Sequence, residues 1–373
     1  MPGIVGRPRA RVKRIPFSDL LRPRILITRA DRIGDLVLST PVFSEIRKKF
    51  PKVYLACLTF LENREIVQGN PFLDEVILYD KKGPEAGGAG NLQFALRLSK
   101  KRFDVVIHLH ATHRMHWAGW LAGIPARVGW DRKSSWALTH SLPEKKREGQ
   151  KHEAEYNFEL LAPLGISAPE KIETYFPLNE RARASLEELL RHSGIPPDKP
   201  WIVLAPGASC PSKRWPAERF GLLADQLSVR FGARIFAIGS LHDRPLVQGL
   251  QARASAPVYD FSGRLSLAMT GVLLQRARLL ISNDSGPGHI ASAVGTPVVS
   301  IFGRNQPGLS PGRWRPLGGN SRVIWKNVGC DPCLAHNCEI HFLCLDVISV
   351  EDVMKEAAAL LSPEIASPLR GSQ

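Results

Sequence analysis

No apolar run in the sequence approaches the roughly 18–20 residues that a membrane-spanning helix requires, so no segment is a candidate for one. No strand-like segment is followed by G-x-G-x-x-G, and G-x-x-x-x-G-K-[ST] is missing as well, which counts against a dinucleotide oxidoreductase and a P-loop NTPase. Zinc-finger spacing with paired histidines is absent, the tryptophans and tyrosines are scattered, and no RNP-like aromatic motif occurs; nucleic acid is therefore not an expected partner. The opening MPGIVGRPRARVKR lacks the apolar stretch of a secretory signal, and the chain is expected to stay in the cytoplasm. Acidic residues are in deficit, 35 against 50 Lys and Arg, leaving a formal charge of +15. Seven of the basic residues fall from Arg7 to Arg24. That balance suits a polyanionic partner or a plainly solvated basic surface. A basic tail of this kind can also hold a protein against an anionic leaflet, at about 1 kcal/mol per well-placed Lys or Arg.

What is present is an alternation. The 373 residues fit two domains of about 150–200 residues each. Short β-rich runs alternate with amphipathic stretches, the pattern of βαβ units and parallel sheets. In the first half, strands are expected at 24–28, 53–59, 75–79 and 104–108, with one helix carrying Leu36, Thr40, Phe43, Ile46 and Phe50. The second half restarts at 201–205, places a helix from Pro216, and continues with strands at 234–238, 257–259, 279–282 and 297–302. A Pro-rich stretch in 165–200 reads as the bridge, and 350–361 as a C-terminal helix. Two such halves make a doubly wound α/β protein with a cleft beyond the strands' carboxyl ends.

Three segments carry chemistry. In 279–295, LLISNDSGPGHIASAVG, a strand runs into Asp284, Ser285, Gly286 and His289 at the start of a small-residue helix. Glycines let a ligand approach the backbone, and the helix start offers N–H groups to an anion; an ordinary capped turn has the same sequence. In 206–215, PGASCPSKRW, Ser209 and the loop amides suit a phosphate and Lys213 can neutralise it, the alternative being a solvated Lys-Arg pair. In 28–35, TRADRIGD, Asp35 opens a helix, either as a general base towards a hydroxyl or as a plain N-terminal aspartate.

Together these segments resemble glycosyltransferase family nine, the ADP-heptose:lipopolysaccharide heptosyltransferases. The likeness rests on "ILITRADRIGDLVLSTPVF", "DVVIHLHATHR" with "LAGIPARVGW", "APGASCPSKRWPAERF" and "LLISNDSGPGHIASAVGTPVVSIFG", in order along the chain. The resemblance implies a GT-B architecture: a basic tail over 1–23, an acceptor-binding Rossmann-like domain over 24–180, a donor-binding one over 181–349, and a C-terminal helix and tail over 350–373. It implies inverting, metal-independent transfer of a heptose from ADP-heptose to a phosphorylated, lipid-linked inner-core oligosaccharide, at the cytoplasmic face of the inner membrane and in contact with its anionic surface. Asp35 falls at the family's general base and Lys213 at its phosphate-binding lysine. Ser209, Asp284, Ser285, Gly286 and His289 fall at the donor site, with Leu265 near the adenine edge. Arg32, His113 and Arg114 are the expected acceptor contacts. Ala208 departs from the hydroxyl residue that some members carry beside Ser209, which puts the donor sugar in question. A different nucleotide sugar, a protein acceptor, or a polyanion-binding protein without catalysis are the other readings.

Two clusters stand apart. Cys330, Cys333, Cys338 and Cys344 are spaced for a structural zinc or iron, or are reduced structural thiols; catalysis in the resembled family needs no cofactor. His108, His110, His113 and His116 sit at a strand end and are either packing histidines or acceptor contacts alongside Arg114.

Overall fold

The computed structural model describes residues 15, 22–196 and 198–361. Most of the basic tail over 1–23, and the C-terminal tail from 362, lie outside the described residues.

The chain builds two six-stranded sheets. The first holds β1 (Arg24–Thr28), β2 (Tyr54–Phe60), β3 (Glu75–Tyr79), β4 (Val105–His108), β5 (Ala126–Trp130) and β6 (His140–Leu142), in the order β3-β2-β1-β4-β5-β6. The second holds β7 (Trp201–Ala205), β8 (Arg234–Ala237), β9 (Val258–Asp260), β10 (Leu279–Asn283), β11 (Val298–Phe302) and β12 (Ser321–Trp325), in the order β12-β11-β10-β7-β8-β9. Every pairing is parallel. Each half thus repeats one winding, its fourth strand beside its first, and in each the order reverses at that point. This is the doubly wound arrangement of a GT-B fold, and open α/β sheets bind ligands at such switch points.

Local sequence explains the elements. The central strands β1, β4, β7 and β10 are runs of Val, Ile and Leu buried on both faces, as covered parallel strands must be. The helix Ala217–Phe231 buries Phe220, Leu223, Ala224 and Leu227 and ends at Gly232, whose φ of 60° is the left-handed stop that glycine favours. The helix Glu180–His192, inside the expected bridge, is capped by Asn179, whose side chain accepts from the Ala182 N–H, and packs on the second-half helix Leu267–Arg276. The C-terminal helix Val350–Leu361 packs on the second sheet and on Ala217–Phe231.

The expected helix through Leu36 and Phe50 is two helices, Ile33–Val37 and Thr40–Lys49. Pro41 has no N–H to continue the first ladder and sits instead in the first turn of the second. The Ser39 hydroxyl donates to the Asp35 carbonyl at this break. The largest apolar cluster runs through both halves, from Ile25 and Ile27 to Trp201, Phe236 and Leu273.

Candidate active site

Asp35, Lys213 and Asp284 each follow the C-terminal end of a strand at a switch point: β1, β7 and β10. The two halves meet there. A Cβ on Gly34 would lie 2.5 Å from the His289 ring, and one on Gly286 would lie 2.9 Å from Ile33, so both approaches require glycine. The Ile33–Val37 helix packs directly on the Gly286–Ala293 helix.

Two cavities open on either side of Asp35. One, of about 480 Å³, lies between the halves and is lined by Asp35, Ser209, Lys213, Asp284, Gly286 and His289, along with Ser285 and Arg304. The other, of about 290 Å³, lies mainly in the first half and is lined by Arg29, Asp35, His110, Lys133, Lys146 and Arg313, among others. Asp31, Arg32, Asp35 and Trp314 line both.

Asp35 is buried and paired with Arg29. Burial pushes its carboxyl above the usual value; Arg29 opposes this, while Asp31 and Glu153 add to it. The carboxyl's surroundings favour proton uptake, which suits a base. Arg29 also donates to Glu153 at 3.1 Å and to Asn157 Oδ1 and Leu109 O at 3.2 Å. Glu153 is fully buried and further gathers Lys146 and Arg313, each at 2.7 Å. Burial alone would raise its carboxyl, but Lys146, Arg29 and Arg313 hold it well below the usual range. Asp31 is also held down, to about 2: burial works the other way, and the His110 ring at 2.6 Å, together with Arg29, prevails.

In the second half, Lys213 Nζ lies 2.8 Å from Asp284 Oδ2, and the buried Arg304 guanidinium lies 2.8 Å from the same oxygen. Lys213 is thus no solvated lysine. Its neighbour Arg214 is turned away and donates to the Ala208 carbonyl at 2.9 and 3.0 Å. Asp284 thus serves as counter-ion to two cations. The Ser285 hydroxyl, at the N-cap of the Gly286–Ala293 helix, is buried beside the cavity with no hydrogen-bond partner among the described residues. Burial lowers the His289 imidazole to about 4, against the pull of Asp284, so at neutral pH it is an uncharged group.

The other residues named from the sequence fall elsewhere. Leu265 packs, half-buried, against the apolar cluster and does not line the cavity. Arg32 lines both cavities, but His113 and Arg114 line neither: His113 bonds Ser134 at 2.8 Å and Arg114 lies over the Tyr79 ring. His108 and His116 are buried packing histidines with ring centroids 4.9 Å apart, and burial lowers both. Cys330, Cys333, Cys338 and Cys344 are free thiols around one cavity of about 130 Å³. Among the described residues, however, no group of three or more Cys, His, Asp or Glu is set to hold a metal, so the expected structural metal is not supported. The segment buttresses the loops that follow β7 and β11: His336 meets Ser212 at 3.1 Å, and Cys333 Sγ accepts from the Asn305 N–H at 3.3 Å. Arg29, Glu153 and Arg304 were not anticipated. Arg29 and Arg304 each stand just beyond a strand, at the position already suspected for the other loops.

Comparison with known proteins agrees. The profile of glycosyltransferase family 9 (heptosyltransferase) matches residues 92–343, about two thirds of the chain. Lipopolysaccharide heptosyltransferase 3 of Escherichia coli K12 is 27% identical over 354 residues, covering 91% of this chain and 98% of that protein. The solved family 9 glycosyltransferase from Veillonella parvula superposes with a TM-score of 0.82 at 26% identity, covering 91% and 97%. The E. coli ADP-heptose lipopolysaccharide heptosyltransferase II shares the fold at a TM-score of 0.76 and 22% identity, covering 91% and 99%. The chain belongs to glycosyltransferase family 9, the heptosyltransferases, and is a GT-B glycosyltransferase.

Proposed function

We propose that the chain transfers a heptose, with inversion, from ADP-heptose to a phosphorylated, lipid-linked inner-core acceptor of lipopolysaccharide, without a metal ion, at the cytoplasmic face of the membrane. Residues 24–180 bind the acceptor in this reading, and 181–349 bind the donor. The observation that carries it is the position of Asp35, on the wall shared by a cation-rich cavity in the first half and a cavity between the halves.

The acceptor hydroxyl gives its proton to the Asp35 carboxylate and attacks the anomeric carbon from the first-half side. The C–O bond to the diphosphate breaks on the opposite side, and ADP leaves. Lys213, Arg304 and the helix start at Ser285–Gly286 face that side and take up the developing negative charge, the task a metal performs in other transferases. Arg32 and Lys133, which form no ion pair among the described residues, are available to acceptor phosphates. The close Gly34–His289 contact keeps bulk water from the reacting centre.

Calorimetry with ADP, UDP, GDP and ADP-heptose, on the wild type and on Lys213→Ala, tests the donor. Selective binding of ADP and ADP-heptose that weakens in the variant supports it. A preference for UDP or GDP keeps the transferase and removes the heptose, a point on which Ala208 bears directly.

A further inference from the structure

Beyond the cavities, one surface of the first half has the wrong composition for water. The helix His113–Leu121 turns Met115, Ala118 and Ala122 inward, and turns Trp117, Trp120 and Leu121 outward at i, i+3 and i+4. Trp117 and Trp120 are each 47% exposed, and Trp136, on the adjoining 3₁₀ turn, is 65% exposed. Trp120 and Trp136 stand edge to face with centroids 5.3 Å apart. The helix Gly87–Ser99, packed against this one, leaves Leu92 and Leu96 exposed as well. Tryptophan gains most from burial, so three exposed indoles on adjoining elements mark a surface made for a partner.

Charge identifies the partner. From residue 92 to 140, the stretch that carries all three tryptophans, the chain has eight Lys and Arg against two Asp, a net positive segment. Indoles at the polar–apolar boundary, with cations around them, are the composition of an interfacial anchor on an anionic bilayer. Position points the same way. Lys133 lines the first-half cavity and lies three residues before Trp136, and the Trp-bearing helix begins three residues after His110, which lines the same cavity.

We propose that Trp117, Trp120 and Trp136 form a membrane-docking face that seats the first half on an anionic phospholipid surface, with the mouth of the acceptor cavity at its edge. The inference rests on the lipid-linked acceptor proposed above, since such an acceptor is presented at a bilayer. Docking lets a substrate diffusing in two dimensions reach Asp35 without leaving its leaflet.

The test uses the full chain, vesicles of phosphatidylglycerol with phosphatidylcholine, and vesicles of phosphatidylcholine alone. The wild type is expected to sediment with the anionic vesicles in a salt-sensitive manner, and brominated phospholipids are expected to quench its tryptophan emission. The triple variant Trp117→Ser, Trp120→Ser, Trp136→Ser is expected to bind at least about tenfold more weakly. It is expected to keep wild-type kcat/KM on a deacylated, water-soluble acceptor while losing rate on the same acceptor embedded in vesicles. The quenching needs no variant, so a misfolded triple mutant does not leave the proposal open. Equal vesicle binding by variant and wild type overturns it. So does a wild-type dimer that the variant loses, without lipid quenching, because the face is then an interface between copies. If the wild type transfers no heptose to either acceptor, the functional reading fails and the vesicle result stands separately.

Discussion

Replacing Asp35 with Asn separates catalysis from folding, because the structure predicts opposite effects on the two. The carboxyl is buried, and its pKa is raised by that burial first and by Asp31 and Glu153 after it, with Arg29 opposing. A carboxylate whose folded pKa lies above its unfolded value costs stability at neutral pH, and the cost shrinks as pH falls below the folded value and is gone below the unfolded one. Removing the charge is therefore not expected to destabilise the fold at neutral pH. Arg29 is not stranded either, because Glu153 remains at 3.1 Å and Asp31 at 3.7 Å. The melting temperature should stay within a few degrees of wild type or rise, a change of about 1 kcal/mol or less. Catalysis should fall by about 10²–10⁴ in kcat/KM, the usual contribution of a positioned base, equivalent to about 2.7–5.4 kcal/mol of barrier. The acidic limb of the pH–rate profile should disappear in the variant, while ADP affinity is kept. Scanning calorimetry beside a transfer assay with varied acceptor gives both readings on one preparation. A melting temperature lower by ten degrees or more, with activity per folded molecule intact, would refute the assignment and make Asp35 a structural partner of Arg29.

Gly34→Ala places a Cβ 2.5 Å from the His289 ring and is expected to separate the halves at the site; a larger radius of gyration by X-ray scattering and a higher KM for donor would show it. Glu153→Gln leaves Arg29, Lys146 and Arg313 without their shared carboxylate, so about 3–5 kcal/mol of stability should be lost in urea unfolding at neutral pH. Because Glu153 has a depressed pKa, its contribution is present above the ordinary glutamate value and lost as pH falls below it. Asp284→Asn removes the counter-ion of Lys213 and Arg304; it should destabilise the ligand-free chain and strengthen ADP binding by calorimetry, whereas weaker binding would put the carboxylate on the donor itself. His116 and His289 both titrate near 4 in the fold against about 6.5 unfolded, so stability should decline as pH drops through that interval, and His289→Asn should flatten the decline.

The sequence revealed the framework where the signal was local. The runs RILIT and WIVLA became β1 and β7 at the expected bounds, and the C-terminal helix appeared over Val350–Leu361. Three strands were not anticipated. β5 carries an arginine and a glycine in ARVGW, β6 is three residues at a sheet edge, and β12 is half-buried at the opposite edge of the other sheet. Edge strands need only one apolar face and one bonded neighbour, so their composition approaches that of loops. The break at Ser39 escaped notice because Leu36, Phe43 and Ile46 all turn to the core, and an apolar period survives a kink that keeps the same face inward.

The site followed the same division. Loops beyond strand ends are legible, and Asp35, Ser209, Lys213, Ser285, Gly286 and His289 all line the inter-half cavity. What a motif leaves open is which charge neutralises which. Asp284 reads as a free hydrogen-bond acceptor in its own loop, yet two cations from loops 71 and 20 residues away converge on one of its oxygens. Arg29 and Glu153 are 124 residues apart and belong to no common motif, yet they set the field in which Asp35 ionises. Burial determines both outcomes, because the same ion pair in water would shift little. In this chain the position proposed for the base is local information, while the proton affinity of Asp35 is a property of the packed first half and of Arg313 reaching across from the second.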